Sequence, residues 1–109
     1  MNIVETDYWC LMLPPEWSAE EEEGSVLITD QDGIGELAIT TLVREMGDAS
    51  TPQLAEIARA ESPEVNVWAT AMFGEFSGVT GAFTEEGAVL QEWYLSHDVA
   101  LLYLSLIHI

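Results

Sequence analysis

Glu92 is the carboxylate in this chain placed where acid–base work is conceivable. It stands between Gln91 and Trp93 in a run, Ala88 to Ser96, in which Val89, Gln91, Trp93 and Leu95 alternate with Ala88, Leu90, Glu92 and Tyr94, so both faces carry apolar residues. A carboxylate held among aromatic and apolar neighbours is suited to proton transfer. The plainer alternative is a glutamate whose head reaches water at a sheet edge. Trp9, Trp17, Trp68 and Trp93 could line a ligand pocket. In a small sheet protein, though, such residues more often fill or flank the core. Trp93, Glu92, Trp68 and Tyr94 are accordingly the candidate pocket or partner-contact residues.

Other chemistries find little support. Gly33-Ile34-Gly35-Glu36-Leu37-Ala38 has the spacing of a dinucleotide fingerprint, but that motif needs a helix behind it to hold a pyrophosphate. Ile39-Thr40-Thr41-Leu42-Val43 follows instead, which is β-branched strand material. Asp30-Gln31-Asp32-Gly33 opens like a calcium loop, yet Ile34 and Thr41 occupy positions that should be ligands. A hairpin turn fits those residues better. His97 and His108 are far apart in sequence, and Cys10 is the single cysteine, so no zinc set is expected. Ser25, Ser77 and Ser96 lack the setting of an activated nucleophile. No catalytic, cofactor-binding or metal-ligating residue is assigned, and no cofactor is expected.

Charge is the strongest global signal. Twenty Asp and Glu face two basic residues, Arg44 and Arg59, for a net charge of −18. Such a chain repels nucleic acid and anionic membrane. The surplus is either a solvated surface, as salt adaptation would favour, or a complement to a basic protein partner. With 49% apolar residues in 109, a single domain with one core is expected. One cysteine excludes an internal disulfide. The N-terminus has neither the basic nor the apolar region of a signal peptide. Val99 to Leu104, the longest apolar run, is too short to span a bilayer, so a cytoplasmic location is expected.

The elements that must position these residues follow from patterning. Four runs between Val65 and Leu106 are rich in β-branched and aromatic residues, with Gly74, Glu85-Glu86-Gly87 and His97-Asp98 at the breaks. They predict an antiparallel meander. Gly78 and Gly81, inside the second run, suggest a bulge or a close backbone approach. Upstream, Tyr8–Leu13 predicts a short strand stopped by Pro14-Pro15. Trp17 is expected to fold back on the core, and Ser18–Gly24, with its four glutamates, reads as a solvated loop or one frayed turn. Ser25–Asp30 and Ile34–Val43 predict a strand pair. Met46–Ser50 is expected as a loop, followed by a helix over Thr51–Glu61 with Thr51 as cap. Ser105–Ile109 has two readings: a strand's natural end, or a non-native tail beyond which the true chain continues unseen.

This order, from Pro14-Pro15-Glu16-Trp17 through strand pair, capped helix and meander with Gln91-Glu92-Trp93-Tyr94-Leu95, resembles the PsbP-like, Mog-type α/β sandwich family. The resemblance implies an α+β fold with an antiparallel meander packed against one main helix, and a C-terminal helix that this chain lacks. It also implies a binding role, with no family site residue carried over. Three functions are weighed: an acidic, non-enzymatic protein-binding module; an inhibitor or immunity protein neutralising a basic toxin or nuclease; and a small-molecule binder with a tryptophan-lined pocket.

Overall fold

The computed structural model describes residues 2–33, 35–43 and 50–108. Nine strands and one helix follow in the order β1 (Asn2–Glu5), β2 (Cys10–Leu13), β3 (Trp17–Glu22), β4 (Ser25–Asp30), β5 (Gly35–Val43), α1 (Thr51–Glu61), β6 (Ala69–Phe73), β7 (Phe76–Glu85), β8 (Ala88–His97) and β9 (Ala100–His108). β1 and β2 make a two-stranded hairpin, and the other strands form one antiparallel sheet ordered β3-β4-β5-β9-β8-β7-β6. The expected α+β sandwich resting on one main helix is therefore overturned. The described residues are mostly β, with 63% strand, and the one helix among them is short.

The physical reason is visible in which faces are covered. One face of the sheet carries the main core, where Ile28, Ile39, Leu95, Leu102 and Leu104 pack with Val4 and Leu13 of the hairpin. A strand hairpin thus does the covering there. α1 lies on the opposite face, chiefly over β7 and β8, and reaches Leu101 of β9. Its apolar stripe is thin: Leu54 and Ala58 pack with Val79, Tyr94 and Leu101, while Ile57 stays exposed. So narrow a stripe cannot carry a whole layer.

The meander is present as β6 to β9, with turns where the sequence placed them. Glu86 and Gly87 both have positive φ, as a two-residue hairpin turn demands. The last turn lies one residue later than expected, since β8 runs through His97 and β9 starts at Ala100. Two strand boundaries also differ. β6 starts at Ala69, and Val65 instead buries itself against β7: a Cβ on Gly81 would lie 2.3 Å from Val65 Cγ1. β9 runs on to His108 and pairs along its length with β5 on one side and β8 on the other. The last residues therefore sit in the middle of the sheet.

β3 is the main departure from the sequence reading. The expected loop over Ser18–Gly24 is a strand paired rung by rung with β4, from Trp17 opposite Asp30 to Glu22 opposite Ser25. Two-residue periodicity explains it: Trp17 and Ala19 pack on the main core while the alternate residues face away. As the outermost strand, β3 can carry glutamates in water, and edge charge discourages pairing with other chains. Gly24, at φ 78°, makes the turn into β4.

Ser50, rather than Thr51, caps α1. Its hydroxyl accepts from Gln53 N at 3.3 Å while Gln53 Oε1 accepts from Ser50 N at 2.8 Å. This is a reciprocal capping box. Pro52 occupies the first turn and Pro63 follows the helix end, as expected. The loop expected over Met46–Ser50 lies, apart from Ser50, outside the described residues, as does Ile34 of the glycine motif. From Gly35 onward that motif is part of β5, so its nucleotide reading has no helix to rest on.

Candidate functional site

Neighbouring residues on a strand point to opposite faces. Glu92 and Tyr94 therefore face the helix side of the sheet, whereas Trp93, half-buried, packs with the main core beneath the hairpin. Of the four candidates, Glu92, Tyr94 and Trp68 are brought together and Trp93 is not. Trp68, from the segment before β6, stands edge-on to Tyr94 with centroids 5.6 Å apart. Tyr103 of β9, directly opposite Tyr94 in the ladder, lies with its ring 4.9 Å away.

Hydrogen bonds extend the cluster. Tyr103 donates its hydroxyl to Glu92 Oε2. Tyr94 Oη and Ser62 Oγ are 2.9 Å apart. Ser62 is the helix C-cap, so the end of α1 is tied to the sheet through this pair. Glu92 is only 6% exposed, and β8 lies inside the sheet, so the edge position weighed for this glutamate does not hold. Its Oε1 is buried with no hydrogen-bond partner, and the same is true of Trp68 Nε1.

Burial pushes the Tyr103 hydroxyl well above the usual phenol range, and the bond to Glu92 adds to the shift. Burial also raises Tyr94. The bond to Ser62 opposes that rise, and Glu92, Glu61 and Glu64 reinforce it through their charges. Both phenols are thus held neutral, and Tyr103 is the donor in its bond to Glu92. Together the cluster offers neutral hydroxyls, one carboxylate and an indole N–H, a set that binds and orients polar groups. Among the described residues, no group of histidine, cysteine and carboxylate side chains is arranged to hold a metal.

Comparison with known proteins adds one finding. A crystal structure from Bacteroides thetaiotaomicron VPI-5482 superimposes with a TM-score of 0.60 at 20% identity, over 91% of this chain and 37% of that one. The likeness is one of fold. This chain spans little more than a third of that relative's length. No family model and no curated protein matches the chain.

A second feature was not foreseen from sequence. A cleft of about 420 Å³ opens between the hairpin turn and the β3–β4 turn, lined by Glu5, Asp7, Tyr8, Glu21, Glu22 and Val43 among others. Its signal in the sequence was the glutamate run, which becomes an ordered array once β3 is a strand. Among the described carboxylates, only Asp30 and Glu92 are not fully exposed. One partner is His97, whose Nε2 lies 3.3 Å from Glu75 Oε2. No helix among the described residues is long and apolar enough to cross a membrane.

Proposed function

We propose that this chain is a non-enzymatic binding module, cytoplasmic in location, whose acidic surface recognises a basic protein. The observation that carries the reading is the disposition of its charge. Twenty carboxylates against two arginines cannot be neutralised from within. At the β3 end Glu5, Asp7, Glu21 and Glu22 stand on strands and a turn beside exposed apolar groups, Tyr8 and Val43. Ordered charge next to apolar surface is what steers and then holds a complementary protein. A basic toxin or nuclease is the narrower form of the same partner chemistry.

The buried cluster favours a second reading, a small-molecule site. Two polar atoms, Glu92 Oε1 and Trp68 Nε1, have no hydrogen-bond partner within the chain, and buried polar groups are normally satisfied. The acidic surface is the stronger case, because it needs no movement of the residues that now enclose those atoms.

The test is affinity capture with the unmodified protein beside a variant carrying Glu20, Glu21, Glu22 and Glu23 all changed to Gln. All four are exposed, so the fold should survive. A basic protein retained by the first and lost by the second supports the reading. Equal retention, or retention that resists salt, counts against it.

A further inference from the structure

Half of the helix-bearing sheet face has no described element upon it. α1 sits on β7 and β8, and Val65 and Trp68 lie over Gly81 of β7. On that side β4, β5 and the end of β9 from Ser105 onward carry no described element, while Leu101 and Tyr103 of β9 pack with the α1 cluster. The ladder register fixes which side chains meet there. Leu27, Ala38, Ser105 and Glu92 form one row across four strands, and Ile107 and Leu90 stand side by side in the next. Apart from Glu92 these residues are half-buried, as on a face with no second layer. Ala38 and Ser105 are small, so the middle of the row is lower than its flanks.

Three strands at about 4.8 Å spacing make a strip roughly 14 Å wide. An α-helix with its side chains measures about 10–12 Å across. The borders of the strip are acidic on both sides. Glu20 and Glu22 of β3, in register with Leu27 and Ser25, form one border. Glu61 and Glu64, on either side of Ser62, whose hydroxyl bonds to that of Tyr94 at the end of α1, mark the other. Glu92 closes the inner end of the row with a buried oxygen, Oε1, that has no donor within the chain.

We propose that this strip is the docking groove for an amphipathic helix of the partner, apolar where it meets Leu27, Ala38 and Ile107 and basic along both flanks. The inference rests on the reading that the partner is a basic protein, and it names the surface and the shape of what binds. A second copy of this chain fits poorly, because it would bring more carboxylates against the same borders. A helix is preferred to an added strand because the open surface is a sheet face rather than an edge.

The test uses a synthetic amphipathic Leu/Lys helical peptide and a scrambled peptide of the same composition, each titrated at low salt into the unmodified protein while backbone amide shifts are followed. The expected result is a response centred on β4, β5 and β9. The scrambled peptide should bind about tenfold more weakly, and Ala38→Arg should weaken the amphipathic peptide by about tenfold. The map needs no variant, so a misfolded Ala38→Arg does not affect it. Equal binding of both peptides, or shifts centred on Glu5, Asp7 and Glu21, overturns the groove and leaves acidic recognition standing. Concentration-dependent shifts on β4, β5 and β9 without peptide assign the strip to a second copy and overturn the proposal. Binding of neither peptide overturns the groove and the acidic reading together.

Discussion

Tyr103 is the residue on which the buried cluster depends, because it supplies the hydrogen bond to Glu92. Tyr103→Phe would leave both oxygens of a buried carboxylate unmatched, at a cost of about 1–3 kcal/mol. The low end is expected, since Tyr103 is itself half-buried and water can replace part of the bond. Chemical denaturation of Tyr103→Phe, Glu92→Leu and the double variant measures the coupling, expected at about 0.5–3 kcal/mol. Zero coupling would separate the two groups. The tyrosines also set an alkaline limit. Tyr94 and Tyr103 have folded-state values raised above the ordinary phenol value of 10.0. Their contribution to stability is fully present below about pH 10 and is lost above it, as the unfolded chain ionises first. Stability should therefore fall as pH rises above about 10, and Tyr94→Phe or Tyr103→Phe should flatten that fall. Much of this cluster was legible. Strand alternation alone puts Glu92 with Tyr94 and apart from Trp93, so grouping all three went against a signal already in the sequence. Tyr103 and Ser62 were not legible, because one depends on ladder register and the other on where a helix ends.

Among the elements, the two strand glycines give the clearest test of packing. A Cβ on Gly78 would lie 1.9 Å from Tyr94 O, a backbone atom of the neighbouring strand. A Cβ on Gly81 would instead meet Val65 Cγ1 at 2.3 Å, the end of a side chain that can turn. Both Ala substitutions should destabilise, by about 1–3 kcal/mol for Gly81→Ala and more for Gly78→Ala. Thermal denaturation of the pair decides it, and a reversed order would contradict the packing described. Ending the chain at Leu104 removes the rungs that Ser105–His108 make with β5 and β8. A loss of about 3 kcal/mol or more is expected, seen as a weakened or absent cooperative transition. The meander was legible because its strands carry strong β-formers between turn residues. β3 was not, since its glutamates mask a period-two pattern of only Trp17 and Ala19. The helix was located correctly, but its share of the fold was overestimated, because nothing local reveals that a hairpin covers the other face. The α+β fold that the family resemblance implied shared that overestimate.

At the scale of the whole molecule, −18 charges on 109 residues dominate. Self-repulsion is screened within about 10 Å at 0.1 M salt, so stability should rise with ionic strength, and denaturation midpoints measured in increasing NaCl check this. The same charge should make partner binding weaken as salt increases. These opposite signs separate the two meanings of the acidity: a merely solvated surface shows the first effect without the second. The structural likeness at 20% identity supports the fold and leaves function to the chain's own surface. The most direct test is therefore the affinity of the unmodified protein for its captured partner between about 0.05 M and 0.5 M salt. A steep loss of affinity is predicted; an affinity that stays flat across that range would contradict recognition by charge.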